Sequence, residues 1–319
     1  MSQSETKSVH EKSNIEEIEA ELIRSGSRQV LTLKEAAGVV YLTYPALSEC
    51  PFITHAFSTR IGGVSEGIWS TMNLSFTRGD SDQAVQENFR RMAAAIGVSC
   101  DDMVFSDQTH TTNVRIVTEA DRGNGITRPK HFFETDGMIT NVPGIVLTTF
   151  YADCVPLYFV DPVNHAIGLT HSGWRGTAGR IGQKTVELMH DTYGTNPADI
   201  IAAIGPSICK DCYEISEDVA EQFRKAFLPE DYTQFLFPQT AMPDSLLSAP
   251  NNSSGSSKYQ LDLWKANELI LLNAGIHPPN LFITDLCTCH NPKYLFSHRA
   301  TQGKRGNLAA FLALKPNKQ

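Results

Sequence analysis

The feature that most constrains the fold is the balance between strand-like and helix-like segments. Short runs rich in β-branched and aromatic residues outnumber amphipathic segments by about two to one, and the two kinds do not alternate regularly. The predicted strands span 38–43, 52–58, 113–117, 145–151, 155–160, 166–170, 199–204, 281–284 and 308–314. A doubly wound sheet needs a helix after nearly every strand, so this pattern predicts an α+β fold with mixed sheets.

Four helices are predicted from apolar residues that recur on one face. The first follows a capping signal at Ser81 and stops at Gly97. Its apolar face consists of Val85, Phe89, Met92 and Ile96. The other three faces are Ile181, Thr185, Leu188 and Met189; Val219, Phe223 and Phe227; and Leu263, Ile270 and Ala274.

Two polar segments are expected to lie outside the packed core. Residues 1–29 contain six glutamates and no apolar core of a signal peptide, and they are predicted to form a flexible N-terminal leader with one short helix. Residues 240–258 are rich in serine, asparagine and proline, which predicts a surface insertion. The folded region is therefore expected to span 30–319, and its length is compatible with one large domain or two small ones.

Charge and apolar content argue against nucleic acid and membranes as partners, and cysteine usage indicates the redox compartment. The net charge is −8, and the longest apolar stretch is interrupted by Asp153 and Pro156, so neither nucleic acid nor a membrane is expected to bind. Seven cysteines without a framework of short spacings favour free thiols in a reducing compartment. These features predict a cytoplasmic protein, and nothing in the sequence indicates its oligomeric state.

Three residues near the ends of predicted strands could form a metal site. His110 precedes strand 113–117, Cys154 follows strand 145–151, and His171 follows strand 166–170. Two imidazoles and one thiolate suit Zn²⁺, and three protein ligands leave a position for water or substrate. Cu²⁺ is a second possibility by affinity. Because the residues are far apart in the sequence, the alternative is a buried cysteine and two hydrogen-bonded core histidines.

Two glycine-rich segments carry candidate substrate-binding residues. The segment HSGWRGTAGR at 171–180 predicts a strand-to-helix turn whose backbone N–H groups and Arg175 bind an anion such as phosphate. Trp174 in the same segment is available to stack on a base. Arg60 and Ser65 lie at the two ends of a second glycine loop, RIGGVS. The alternative for segment 171–180 is a tight strand-to-helix turn without a ligand, and the alternative for RIGGVS is a hairpin turn. Trp174 is equally compatible with a buried structural role.

Four of the other six cysteines are clustered in two short segments. Cys209 and Cys212 form a CxxC pair, and Cys287 and Cys289 form a CxC pair followed by His290. A structural zinc site is one interpretation, but the spacings differ from those of a zinc ribbon. The two sulfurs of the CxC pair are also expected to point to opposite sides of a strand. Free thiols are therefore favoured.

Taken together, the segments resemble the laccase-domain polyphenol oxidoreductase family, which includes the bacterial peptidoglycan editing factor and purine nucleoside phosphorylases. The matching motifs occur in the expected order over residues 38–314: RIGGVS at 60–65, QTH at 108–110, TDGMIT at 135–140, ADCVPL at 152–157, HSGWRG at 171–176, IGPSI at 204–208 and FSHR at 296–299. The resemblance implies that 30–319 is a single catalytic domain with a four-layer α/β/β/α architecture.

The resemblance also implies a ligand set and an activity. His110, Cys154 and His171 correspond to the zinc ligands of the family. The implied reactions are phosphorolysis of adenosine, inosine and methylthioadenosine, and hydrolytic deamination of adenosine, with Asp153 as a candidate proton shuttle. A purine nucleoside and phosphate are therefore the expected partners. The sequence departs from the family pattern at 209–212 and 303–307, which leaves substrate preference open.

Two other activities remain open at this stage. A copper-dependent polyphenol oxidoreductase is suggested by the family name, but multicopper oxidases use HxH pairs and this sequence contains none. A Cys-His hydrolase that edits peptidoglycan precursors would use Cys154 as nucleophile and His171 or His110 as base.

Overall fold

The computed structural model describes residues 15–26, 29–239 and 258–316. The predicted insertion at 240–258 lies outside the described residues except for Lys258, and so does most of the predicted leader. Its described part contains a short helix, as predicted, and packs on the domain: Ile18 is buried in the core and Arg24 forms an ion pair with Asp285.

The described residues form the following elements. The strands are β1 (Thr32–Ala36), β2 (Val39–Thr43), β3 (Ile53–Ser58), β4 (Met103–Phe105), β5 (Val114–Ile116), β6 (Gly137–Thr140), β7 (Val146–Tyr151), β8 (Val155–Asp161), β9 (Ala166–Ser172), β10 (Ile201–Ile204), β11 (Glu214–Ser216), β12 (Leu236–Pro238), β13 (Lys258–Leu261), β14 (Leu281–Ile283) and β15 (Leu308–Leu314). The helices are α1 (Ile15–Glu21), α2 (Pro45–Ser48), α3 (Asp82–Ile96), α4 (Trp174–Ala178), α5 (Ile181–Tyr193), α6 (Glu217–Ala226), α7 (Pro229–Tyr232), α8 (Leu263–Asn273) and α9 (His298–Thr301).

Two mixed six-stranded sheets form the centre of the domain. Sheet 1 has the order β1-β2-β3-β15-β7-β4, and sheet 2 has the order β14-β10-β8-β9-β6-β5. In sheet 1 only the β4–β7 pair is parallel, and in sheet 2 only the β10–β14 and β5–β6 pairs are parallel. A small antiparallel sheet, β11-β13-β12, completes the described strands. The predicted α+β class with mixed sheets is confirmed.

The core is divided into layers by the alternation of side chains along the central strands. In β15, Leu312 packs between the two sheets, whereas its neighbour Phe311 packs against α3 on the other face of sheet 1. In β8, Tyr158 faces sheet 1 and Phe159 faces the layer that contains α5 and α8. Since successive strand residues point to opposite faces, both faces of each sheet are buried. The result is the predicted four-layer α/β/β/α arrangement in one domain.

The predicted helices and strands are present, with small differences at their ends. The Oγ atom of Ser81 accepts a hydrogen bond from the backbone N–H of Ala84 and so caps α3, which ends at Gly97 in the left-handed conformation that glycine favours. The strands that sequence patterns did not predict are short, such as β4 and β11, which have three residues each. No helix in the described ranges is long and apolar enough to cross a membrane.

The connections between the two sheets determine where functional side chains can meet. The chain leaves sheet 1 after β4 and enters sheet 2 at β5, and it crosses again between β7 and β8. His110 lies in the first crossing and Cys154 in the second, while His171 lies near the end of β9. The three candidate ligands therefore come from elements that connect the two sheets or end between them.

We expect Leu312→Ala to lower the free energy of unfolding by about 2 to 5 kcal/mol, because this side chain is fully buried between the sheets and its loss leaves a cavity. Urea-induced unfolding followed by tryptophan fluorescence would measure the change. Glu35→Ala, at an exposed position of β1, is the control and should change stability by less than about 0.5 kcal/mol. Equal effects of the two substitutions would contradict the assignment of the core.

Candidate metal centre

The structure brings His110, Cys154 and His171 together. Their ligand atoms all lie within 4.8 Å of one another, and the Sγ atom of Cys154 is 3.9 Å from Nε2 of His110. The two imidazole rings are nearly perpendicular, with centroids 5.0 Å apart. A tetrahedral zinc ion with bonds of about 2.0 to 2.3 Å holds its ligand atoms roughly 3.5 Å apart. The three side chains therefore fit such an ion after only small shifts.

Local backbone geometry presents two of these side chains in an unusual way. His110 has a φ of 64°, and Asp153, directly before Cys154, has a φ of 90°. Left-handed backbone is rare for residues other than glycine and is found mainly where the surrounding structure holds it, often at functional sites. Both residues lie in the sheet-to-sheet crossings, so the sharp turns that join the sheets also orient the side chains of His110 and Cys154.

Asp136 organises the centre although it does not belong to the ligand set. Its carboxylate is completely buried, and its Oδ1 atom lies 2.7 Å from Nδ1 of His171. The backbone N–H groups of residues 109–111 all donate to the same carboxylate, at 2.8 to 3.2 Å. With Nδ1 of His171 bonded to Asp136, its Nε2 atom is free for a metal. The sequence analysis included Asp136 in the TDGMIT motif but gave it no role.

The three charged groups shift one another's pKa values. Burial would raise the pKa of Cys154, but the neighbouring His171 and His110 lower it to about 6. Burial would lower the pKa of His171, but the Cys154 thiolate and Asp136 raise it to about 9. Burial also opposes ionisation of Asp136, yet hydrogen bonds from His171 and Thr111 leave its pKa below the usual value. These shifts favour a thiolate–imidazolium pair at neutral pH, and a metal cation would replace the proton on His171.

The HSGWRG turn lies directly against the centre. A Cβ atom at Gly173 would lie 2.8 Å from Cδ2 of His110 and 3.3 Å from Sγ of Cys154, so only glycine allows this approach. Arg175 is exposed and its guanidinium lies 4.3 Å from the centre of the half-buried Trp174 ring. The turn therefore contacts the ligands through its glycine, whereas its arginine and tryptophan contact each other.

A cleft of about 390 Å³ opens onto all three ligands. Part of its wall is aromatic, formed by Phe76, Phe105 and Phe150. Its cations are Arg78, Lys130 and Arg305, and of these Lys130 is paired with Asp107 at 2.5 Å. The cations and Phe76 come from loops distant in sequence, whereas Phe105 and Phe150 lie in β4 and β7. The sequence pattern indicated no role for these residues in the site.

The two arginines of the cleft form a positive site near the charges of Asp153 and Cys154. Arg305 is 7% exposed, and its Nε atom has no hydrogen-bond partner among the described residues. Burial lowers the pKa of Arg305 to about 10, and the charge of Arg78 adds to this effect. Within the described ranges neither guanidinium forms an ion pair with a carboxylate. Two like charges beside a buried, unpartnered donor favour binding of an anion.

The other predicted substrate-binding residues lie outside this cleft. Arg60 donates hydrogen bonds to the carbonyl groups of Ser70 and Pro292 and stacks on Phe296. Ser65 is buried, donates to Asp80 at 2.6 Å and accepts from the Asn88 amide. Trp174 and Arg175 do not line the cleft either. Their roles in substrate binding stay predictions.

Asp153 is held beside the centre by two hydrogen bonds. Its Oδ1 atom accepts from the Thr288 hydroxyl at 2.6 Å, and its Oδ2 atom accepts from the backbone N–H of Arg299 at 2.7 Å. These bonds fix the residue that precedes Cys154. The role of Asp153 as a proton shuttle stays a prediction.

Comparisons with known proteins place this centre in a known family. A family model described as multi-copper polyphenol oxidoreductase laccase matches residues 54–315. The purine nucleoside phosphorylase YlmD of Bacillus subtilis (strain 168) is 36% identical over 261 residues, which cover 81% of this chain and 87% of that protein. Adenosine deaminase RL5, from an unknown prokaryotic organism, is 33% identical over 247 residues, covering 76% of this chain and 88% of that protein.

Comparison of the fold with solved structures indicates the same family. The crystal structure of YlmD from Geobacillus stearothermophilus superposes with a TM-score of 0.77 and 31% sequence identity, covering 91% of this chain and 100% of that chain. The predicted resemblance to the laccase-domain proteins is thereby confirmed in sequence and in structure. This chain belongs to the multi-copper polyphenol oxidoreductase laccase family.

Proposed function

We propose that this chain is a zinc-dependent purine nucleoside phosphorylase that acts on adenosine, inosine and methylthioadenosine and also deaminates adenosine. The observation that carries the proposal is one cleft in which a three-ligand Cys/His centre adjoins two arginines without carboxylate partners. A site for a cation next to a site for an anion is what a reaction between a nucleoside and phosphate requires. The names of the two relatives support the same reaction classes.

Zinc is the proposed metal because the ligands are one thiolate and two imidazoles with an open fourth position. When bound, zinc supplies a Lewis acid and lowers the pKa of a coordinated water. Copper-dependent oxidation of polyphenols is the second candidate, favoured by the description of the family. It is less well supported, because the cluster at this centre contains only two imidazoles among the described residues and a multicopper site needs many more.

In phosphorolysis, a phosphate oxygen attacks the anomeric carbon of the ribose, the bond from that carbon to the purine nitrogen breaks, and the purine leaves with a proton. Arg78 and Arg305 would hold the phosphate through charge-assisted hydrogen bonds. The aromatic part of the cleft wall offers a flat apolar surface for the base. The positive charge of the cleft also lowers the repulsion between phosphate and the other negative groups of the site.

In deamination, water adds to the purine ring and the amino group leaves as ammonia, so a proton must be delivered to that nitrogen. Asp153 is the proposed shuttle. Both of its carboxylate oxygens already accept hydrogen bonds, from Thr288 and Arg299. This role therefore requires one of the two bonds to be exchanged for a bond to the substrate.

We expect Cys154→Ser to lose most of the metal at this centre and most of the activity, because removing one of three ligands leaves a weak site. Cys100→Ser, at a cysteine remote from the centre, is the matched control. Metal analysis after dialysis and phosphorolysis of inosine measure the two effects. If Cys154 is instead a nucleophile, acid quenching of the wild-type reaction would trap substrate mass on this residue, and that result would move the protein to the Cys-hydrolase class.

The affinity of this centre for a metal ion should rise with pH. Between the pKa of Cys154, about 6, and that of His171, about 9, binding displaces one proton, so the affinity should rise about tenfold for each pH unit. Below about pH 6 the Cys154 thiol must lose its proton as well, so the dependence on pH should become steeper. Competition with a chelator at several pH values would measure this affinity. The metal that belongs to this centre is the part that wild type binds and Cys154→Ser does not. Affinity independent of pH between 6 and 9 would contradict the thiolate–imidazolium pair.

Arg78→Ala should raise the KM for phosphate roughly 10- to 150-fold, the usual effect of losing a charged hydrogen bond. Its metal content should remain that of wild type, since Arg78 is exposed and is not a ligand. Arg175→Ala is the informative comparison, because the sequence pattern predicted the phosphate site at its turn. A KM raised only by Arg175→Ala would locate phosphate at the glycine-rich turn rather than at the two arginines.

A further inference from the structure

A second Cys/His cluster lies outside the cleft. The ligand atoms of Cys209, Cys212, Cys287 and His290 all lie within 4.8 Å of one another. The sequence analysis favoured free thiols here, and none of the seven cysteines forms a disulfide. That prediction was based on the cysteine spacing within each short segment. The fold instead combines the two segments into one group of four potential ligands.

The topology explains why the segments meet. β10 and β14 are neighbouring parallel strands, with Ala202 paired to Leu281, so their following loops leave the sheet at the same edge. The pairing continues beyond the strands as a parallel bridge between Ser207 and Cys287. The CxxC pair follows β10 and the CxC-His segment follows β14. Adjacent loops therefore supply two ligands each.

The contacts within the cluster resemble those of thiolate ligands. Sγ of Cys209 lies 3.9 Å from Nδ1 of His290, and the backbone N–H of Cys209 donates to Sγ of Cys287 at 3.2 Å. Cys209 and Cys287 are buried, whereas Cys212 and His290 are half-buried. Cys289 hydrogen-bonds to Cys212 but is not one of the four residues that share mutual contact.

We infer that Cys209, Cys212, Cys287 and His290 bind a second zinc ion in a closed, structural site. Three thiolates and one imidazole are an established tetrahedral set for structural zinc, and four protein ligands leave no position for substrate. The first centre has three ligands and opens onto the cleft. The two clusters thus differ in the feature that separates structural from catalytic zinc.

The second site would hold the segments that position Asp153. Thr288, located between two cysteines of the cluster segment, donates to the Asp153 carboxylate. The backbone N–H of Ile208, next to Cys209, donates to the Asp153 carbonyl at 2.9 Å. Since Asp153 precedes Cys154, a zinc ion that joins the two loops would stabilise the turn that presents a ligand of the first centre.

Metal content of the full-length chain, purified with zinc and then dialysed, tests this directly. We expect two zinc ions per wild-type chain, one in Cys154→Ser and one in Cys212→Ser, with Cys100→Ser as the control that keeps two. In Co²⁺-loaded protein, Cys154→Ser should retain strong thiolate-to-cobalt absorption from three cysteines, while Cys212→Ser should show only the weaker absorption of the one-thiolate centre. His290→Ala should lose the second ion, and Cys289→Ser should keep it.

Several results would overturn the inference. One is a wild-type chain with a single zinc ion that disappears in Cys154→Ser. Another is a Cys209–Cys212 disulfide in protein purified under reducing conditions. A third is loss of the second ion from Cys289→Ser but not from His290→Ala. If Cys212→Ser does not fold, the metal content of Cys154→Ser still decides between one site and two. No substrate is used, so failure of the proposed phosphorylase activity would leave this result unaffected.

Discussion

The carboxylate of Asp136 is the group on which the geometry of the candidate metal centre depends. A fully buried carboxylate is costly unless hydrogen bonds and opposite charge compensate it. Here the compensation comes from the backbone of residues 109–111 and from His171. The same charge therefore fixes the loop that carries one ligand and the ring orientation of another. Together with the Cys154 thiolate, this carboxylate raises the pKa of His171, so a metal ion that bound there at neutral pH would displace a proton.

The four-layer architecture makes this arrangement rigid. Both sheets are buried on both faces, so their strands cannot shift without loss of core packing. The ligands lie on short crossings between the sheets and near the end of β9, close to the packed strands. The cleft is lined partly by residues of β4 and β7, such as Phe105 and Phe150, and partly by loops such as the one that carries Arg78. Candidate ligands on packed elements beside such loops suit a family in which the relatives are named for different reactions.

Sequence reasoning succeeded where the signal is local. Periodicity and capping identified the four helices and the long strands. Residue chemistry and motif resemblance selected His110, Cys154 and His171, whose side chains the fold brings together; their role as metal ligands stays a prediction. It failed where the signal is long-range. Arg305 becomes significant only when folding buries it next to Arg78, and Asp136 only when the 109–111 loop closes over it. An aspartate at the start of a buried strand, shortly before a candidate ligand strand, is the one local sign that could have indicated Asp136.

The two cysteine-containing clusters are connected through one strained residue. Asp153 has a left-handed φ of 90°, a conformation that costs of order 1 to 3 kcal/mol for a residue other than glycine. Hydrogen bonds from Thr288, Arg299 and Ile208 compensate this cost, and two of these three partners belong to the loops that follow β10 and β14. Those loops also carry the second cluster. Because the turn at Asp153 orients the Cys154 thiol, the geometry of the candidate metal centre depends on how firmly these two loops are held, although neither contributes a lining residue to the cleft.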